Sequence, residues 1–402
     1  MPYKELSFDR HNVAVCMSEV KDMFRMHFEQ GCRYVAKRVY QQILAADFDS
    51  FIDAGRHQRT DRRRGYRNGY RSRSLLTSVG LLDLKIPRDR ASQYQPELIE
   101  RYRRVDSSLE ETIRAMFLQG VSTRKVGDIL DVLCGERLSA SKVSTVVREL
   151  DQAVGDYANR LLEDDFVFLF LDALSVKIRF ELKAKKVKLL VAYGIKADGT
   201  RELISFGRAN SESTACWKSF LDNLYVRGLK GRTLKLIAMD GGGGLWAAIE
   251  EVYPLVKHQL CWVHKLRNVA QYCPKRYRKE CTHQAARIMY AKSSAMAAKR
   301  FRTWKKRWQN QIPRAVNCLE KDFDRLIPVF EFPESIRKMI RTTNVIERCF
   351  REVRRRLKVM GYFQNTRSCD RIIYAIFNYF NNKWQKPAGK IKTINQLTKL
   401  AA

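Results

Sequence analysis

The chain has 402 residues with 45% hydrophobic content, enough for two or three cored domains and too much for a disordered tail protein. Its 76 Lys and Arg against 43 Asp and Glu leave a formal charge of +33, far beyond what solubility asks for and suited to a polyanionic partner. No apolar run approaches the roughly 18–20 residues that cross a bilayer, no signal-peptide core opens the chain, and the 10 Cys form no dense framework; nucleic acid in a reducing, cytoplasmic setting is therefore the expected partner, and a membrane is not.

Residues 1–60 read as mainly helical, with Val35, Val39, Tyr40, Ile43, Leu44 and Phe48 at helical spacing. The segment 61–73 is basic and punctuated by glycine. Its Arg62, Arg63, Arg64, Arg67, Arg71 and Arg73 interleave with Tyr66 and Tyr70, as in loops that track phosphates and stack on bases; a solvated basic turn is the plainer reading. Ser78 to Arg88 reads as a short strand closed by Pro87. Three helices are expected over 108–155: Leu109 to Leu118, a second capped by Ser122 and stopped at Gly135, and a third from Lys142 to Val154 capped by Ser139 or Ser141. This is a helix-turn-helix-like pattern, shared with small bundles that touch no DNA, and Ser141, Lys142, Ser144 and Arg148 are its candidate contacts. The whole of 61–155 is the expected DNA-binding region.

From Phe166 the pattern changes. Phe166–Phe180, Lys186–Lys196 and Glu202–Ala209 read as three strands in meander, followed by helix Glu212–Val226, strand Leu234–Asp240, helix Leu245–Tyr253 and strand Lys257–Trp262. That order is the order of an α/β ribonuclease-H-like core, in which the first and fourth strands are central neighbours. Residues 160–264 form its first part, 265–335 an all-helical insertion, and 336–390 its completion with a C-terminal helix. The last core elements begin with a helix near Asn344, with Val345, Ile346, Cys349, Phe350, Val353 and Leu357 as its buried face and Gly361 as its stop.

Three acids sit where packing does not explain them. Asp172 lies within an apolar strand, Asp240 ends another and runs into Gly241-Gly242-Gly243-Gly244, and Glu347 opens the last helix beside Arg348, Arg351, Arg354 and Arg355. Carboxylates go to such places with a partner, and a divalent cation would serve all three. Two hard cations about 3.5–4 Å apart, held by oxygen ligands, could activate an attacking oxygen and stabilise a leaving one, while nearby arginines offset phosphate charge. A bulge residue, a turn residue and an i,i+4 partner of Arg351 would explain the acids singly, but not all three in this order on so basic a chain. Cys261-x-x-His264, with Cys273, Cys281 and His283 beyond it, allows a zinc site to be drawn. The spacing is not that of a standard finger, so a buried or DNA-facing Cys/His pair is the favoured reading, with Trp262 as a stacking group and His264, Arg267 and Asn344 facing DNA.

The resemblance rests on Arg67-Asn68-Gly69-Tyr70, Val79-Gly80, Pro87-Arg88-Asp89-Arg90, Gly120-Val121-Ser122-Thr123-Arg124, Asp172-Ala173, Ser211-Glu212-Ser213 with Trp217, Arg227-Gly228-Leu229, Asp240-Gly241-x-x-Gly244-Leu245, Gln259-x-Cys261-x-x-His264-x-x-Arg267-Asn268 and Thr343-Asn344-x-x-Glu347-Arg348 with the arginines after it. In this order they resemble the Mutator-type bacterial insertion-sequence transposases, a group of DDE transposases. The resemblance covers nearly the whole chain. It implies Asp172, Asp240 and Glu347 as a catalytic, metal-binding triad for Mg²⁺, with Mn²⁺ as the alternative ion. It also implies binding of terminal inverted repeats, cleavage and strand transfer, a copy-out route through a circular intermediate, a homodimer or higher oligomer on DNA, and a place at the bacterial nucleoid. One position departs from the pattern: Gly242 stands where the family has His. A transposase-derived DNA-binding regulator without catalysis and a ribonuclease-H-like DNA nuclease are the other expectations that fit these residues.

Overall fold

The computed structural model describes residues 17–58, 60–99, 103–181 and 183–385, with side chains from residue 24 onward. Residues 1–16 of the expected N-terminal helical region and residues 386–390 of the expected core completion lie outside them. The chain divides into two compact units, one ending at Arg148 and the other beginning at Glu149. No described helix is long and apolar enough to cross a membrane.

The first unit opens with helix α1 (Met17–Ile52), whose Leu44, Phe48 and Ile52 pack on a two-stranded hairpin. The hairpin is β1 (Arg67–Thr77) paired antiparallel with β2 (Gly80–Asp89), and Leu75, Leu82, Leu84 and Ile86 complete the core with Tyr94. Two expectations are corrected here. The basic stretch after Tyr66 is a strand and not a loop, and β2 runs on past Pro87, which an edge strand tolerates. β1 had no apolar alternation to betray it, because every residue before Ser74 is exposed or half-buried. The alternation lies in its partner, where Leu82, Leu84 and Ile86 face inward.

Helices α2 (Ser107–Leu118), α3 (Thr123–Cys134) and α4 (Ala140–Arg148) follow. Ser122 caps α3 through the Lys125 amide and Gly135 ends it in the left-handed conformation. Gly127 is required by packing, since a Cβ there would lie 2.3 Å from the Leu138 carbonyl oxygen. The expected third helix, Lys142–Val154, is instead broken: α4 ends at Arg148, and α5 (Leu150–Asn159) belongs to the second unit. There Arg371 donates two hydrogen bonds of 2.6 Å to the Asp151 carboxylate.

The second unit is mixed α/β. Its strands are β3 (Phe166–Phe180), β4 (Lys183–Lys196), β5 (Arg201–Ala209), β6 (Leu236–Met239) and β7 (Lys257–Leu260), in sheet order β5-β4-β3-β6-β7. The first three form an antiparallel meander; β6 lies parallel to β3, and β7 parallel to β6. Helices α6 (Thr214–Val226) and α7 (Gly243–Val252) supply the crossovers. Between β7 and the final helices stand α8 (Trp262–Gln271), α9 (Lys275–Met289), α10 (Ser294–Trp308), α11 (Pro313–Lys321) and α12 (Glu334–Ile340), a wholly helical stretch. Phe301, Trp304 and Trp308 on α10 are buried, as are Cys281, Ala285 and Ile288 on α9, and the Trp304 Nε1 donates to the Cys281 carbonyl at 3.1 Å. Then α13 (Asn344–Met360) and α14 (Thr366–Lys383) return to the sheet, where the Asn381 side chain bonds the Leu203 backbone on β5.

Candidate active site

Strand pairing brings the first two acids together. Leu171 on β3 is level with Met239 on β6 in parallel register, so Asp172 and Asp240 are the next residues along two adjacent strands. Asp172 is 5% exposed and accepts one hydrogen bond, 2.7 Å from the Ala173 amide. Asp240 ends its strand and accepts from the Gly241 amide at 2.8 Å. β7 then leads into α8, and the Cys261 amide donates to the Met239 carbonyl at 2.8 Å. That bond sets the first turn of α8, and with it His264, beside Asp240.

The third acid arrives on α13. Thr343, buried just before that helix, donates from its amide and its hydroxyl to the Cys261 sulfur at 3.4 and 3.6 Å. These bonds fasten the start of α13 to the start of α8 and place Glu347 in the first helical turn, where the helix dipole favours an acid. His264 joins the group: Nδ1 is 3.5 Å from Asp240 Oδ1, and Nε2 is 3.2 Å from Glu347 Oε1. Arg267, one turn further along α8, forks onto both oxygens of Glu347, with Nη2 3.1 Å from Oε2. Sequence reasoning had assigned His264 to DNA and overlooked Thr343; the Cys261-x-x-His264 spacing was the available signal.

Charge is unevenly shared among these groups. Burial pushes the Asp172 carboxyl up to about 7; His264 works against the rise, and the nearby Asp240 and Glu347 add to it. Burial works to neutralise His264, but its hydrogen bond to Cys261 and the charges of Cys261, Asp240 and Asp172 raise it to about 9. For Cys261, burial raises the thiol and the His264 bond and charge outweigh it, holding it below its ordinary value. The Arg267 hydrogen bond keeps Glu347 below the usual carboxylate range. An imidazolium thus stands amid three acids. Among the described residues no three His, Cys, Asp or Glu side chains are already gathered tightly enough to hold a metal. The donor set nevertheless fits a hard cation: all three acids supply oxygens, no cation is hydrogen-bonded to Asp172 among the described residues, and the position between Asp240 and Glu347 is taken by His264.

The four glycines after Asp240 divide in their roles. A Cβ at Gly244 would lie 2.6 Å from the Glu212 carbonyl oxygen, so that glycine lets α7 approach the start of α6. A Cβ at Gly242 or Gly243 would meet nothing within 4 Å, and at Gly241 only Leu260 at 3.8 Å. These three leave open space beside Asp240.

The other candidate residues scatter. Asn344, Arg348, Arg351, Arg354 and Arg355 are exposed along α13, Arg355 pairing with Glu352 at 2.7 Å. Trp262 corrects the expectation of a stacking group: it is fully buried, and its Nε1 donates to the Leu326 carbonyl at 2.9 Å. Two positions on a helix are about 200° apart, so when His264 faces the acids Trp262 faces the interior. In the first unit Arg67 pairs with Asp49 at 2.7 Å and bonds the Ala54 carbonyl, Arg73 bonds the Arg103 carbonyl, and Arg63 bonds Gly65. These three hold the protein's own backbone, whereas Arg62, Arg64 and Arg71 are exposed. Lys142 is half-buried, and Arg148 is exposed, bonding Ser144 and Thr145 on its own helix. The residues from which a zinc site could be drawn are divided: Cys273 and Cys281 hydrogen-bond to each other and His283 is exposed.

The model of the family "Transposase, Mutator family" matches residues 11–387. The chain is 37% identical over 368 residues to the transposase for insertion sequence element ISRM5 of Rhizobium meliloti, covering 91% of this chain and 92% of that one. It is 34% identical over 349 residues to the transposase for IS256 in transposon Tn4001 of Staphylococcus aureus, covering 86% and 89%. With the transposase for IS1081 of Mycobacterium tuberculosis the identity is 30% over 344 residues, covering 85% and 82%. A family match across nearly the whole length, with relatives similar from end to end, leaves one assignment: the chain belongs to the Mutator family of transposases.

Proposed function

We propose that this chain is a DDE-type DNA transposase that binds the terminal inverted repeats of an insertion sequence, cleaves a DNA strand at the element's end and joins it to a new site. The carrying observation is the convergence of Asp172, Asp240 and Glu347 from two adjacent strands and one helix, with His264 between Asp240 and Glu347 and Arg267 on Glu347. The sheet order, an antiparallel meander continued by two parallel strands, supports a ribonuclease-H-like core, and the helical stretch 262–340 supports an insertion within it. Helices α2 to α4 support a helix-turn-helix-like reader.

In this reading Asp172, Asp240 and Glu347 would hold Mg²⁺ or Mn²⁺, which when bound would supply Lewis-acid activation of an attacking oxygen and charge stabilisation of a leaving one. The protein's own groups do the rest. Arg267 and His264 neutralise the acids until DNA is bound, and Arg348 and Arg351 then meet phosphate charge along α13. Gly241, Gly242 and Gly243 admit a DNA backbone close to Asp240. Because two ends must be processed together, at least two copies act on one element. The route is copy-out through a circular intermediate, and the setting is the bacterial nucleoid.

The position of Gly242, where an imidazole is lacking, favours one second reading: a DNA-binding regulator of transposase descent. A supercoiled plasmid carrying the element, incubated with purified protein and Mg²⁺, separates them. Excised circles or joined products support the transposase; nicking without joining supports a nuclease; end-binding without either supports the regulator.

A further inference from the structure

The strands β3 and β4 continue well past the sheet. β6 pairs with β3 only over Phe168–Leu171, and β5 pairs with β4 only from Lys188 onward. Beyond Asp172, β3 extends eight more residues to Phe180, about 26 Å of strand. Over Val176–Val187 the two strands pair with each other, and a bridge from Ile178 to Phe363 ties them to the protein on the side where Val176, Ile178 and Val187 are buried. This is a two-stranded arm that starts at a candidate catalytic acid.

The arm has one open basic face; its other face is apolar and buried at the base, through Val176, Ile178 and Val187, and basic only toward the tip. Lys177, Arg179 and Lys186 point to one side, and Lys183 and Lys185, opposite Phe180 and Ile178, to the other. All five are exposed, and the acid at the tip is Glu181. Among the described residues Lys177, Lys183, Lys185 and Lys186 make no ion pair, whereas Lys188 at the base pairs with Glu212 at 2.6 Å. Lys177 stands directly opposite Lys186 in the antiparallel register. Like charges facing each other across a pair of strands weaken it. An arm that carries this repulsion with no ion pair to offset it among the described residues is matched to a dense external anion. The open face, with Lys177, Arg179 and Lys186 exposed along it, can lie against the phosphates of a duplex.

We propose that this arm is a duplex-DNA-binding ribbon, its lysines neutralising phosphates away from the reacting bond and independently of base sequence. It is a second DNA contact, separate from the expected reader in the first unit, and it rests on the transposase reading for its ligand.

The test uses the full chain and a fluorescently labelled duplex of about 40 base pairs, titrated between 50 and 300 mM salt. The triple variant Lys177→Gln/Lys185→Gln/Lys186→Gln is compared with Lys299→Gln/Lys306→Gln/Lys321→Gln, which removes as much charge from the exposed surface of α10 and α11. Each phosphate contact contributes about 0.9 to the slope of log affinity against log salt, so the arm variant loses about 2–3 from that slope and the other variant keeps it. A single Lys186→Glu variant gives a readout that misfolding cannot mimic: facing Lys177, it raises the melting temperature of the free protein while weakening DNA binding. Equal slopes for wild type and the arm variant overturn the proposal and leave the transposase reading standing. Wild-type protein that binds no duplex overturns both.

Discussion

Asp172 combines burial with the company of two other acids, and its proton therefore comes off only near pH 7. A cation needs the ionised form, so metal binding below about pH 7 must expel that proton and weaken by up to about tenfold per pH unit. Calorimetric titration with Mn²⁺ at several pH values, in buffers of different ionisation heat, should detect this release; a flat affinity from pH 5.5 to 8 would contradict it. The folded carboxyl also binds its proton more tightly than the unfolded chain does, so its contribution to stability is greatest below its ordinary value of 3.8 and is lost as pH rises through 7. Metal-free Asp172→Asn should accordingly melt a few degrees above wild type at pH 8 and level with it near pH 4. His264, raised to about 9, acts in a higher window: its contribution is complete below 6.5 and gone above 9. His264→Gln should cost more stability at pH 6 than at pH 9.5. At this scale the places of the three acids were legible in the sequence, Asp172 within an apolar strand, Asp240 just past another and Glu347 at the start of a helix. The faces of α8 were not: Trp262 and His264 sit two residues apart, and only the packing of α8 decides which one turns inward.

The elements were read best where burial leaves a mark. β3, β4 and β5 are apolar runs, and α6 and α13 carry helical stripes, so their order and approximate limits followed from pattern. β1 was missed because its first half is polar on both sides, and its arginines were counted as DNA contacts although Arg67 and Arg73 bind the first unit's own backbone. The break at Glu149 was missed because one continuous helical pattern serves two different cores. The family's glycines separate by the same physics. Gly228 has φ 125°, and a Cβ there would lie 2.2 Å from the Leu162 carbonyl oxygen. Gly228→Ala should cost about 2–4 kcal/mol in chemical denaturation. Gly242 has φ −76° and open space around it as the residue before α7. Gly242→His should stay within about 1 kcal/mol of wild type, and its cleavage rate reports whether the absent imidazole limits the enzyme. Equal losses at the two positions would mean that the backbone, and not the side-chain space, governs this region.

For the whole molecule, the charge of +33 announced a polyanion before any motif was considered, and exposed cations occur on α13, on the β3–β4 arm and on β1. Composition could not say where they gather, since that depends on strands running past their sheet and on which arginines are tied up internally. The central claim is that Asp172, Asp240 and Glu347 act as one unit in breaking and joining DNA. Its most direct test is strand cleavage and joining of labelled element-end DNA with Mg²⁺ by wild type, Asp172→Asn, Asp240→Asn and Glu347→Gln, with end-binding measured in parallel. Each variant should still bind the end but lose both reactions by at least about 10²-fold. Any one of the three retaining near-wild-type cleavage and joining would contradict it.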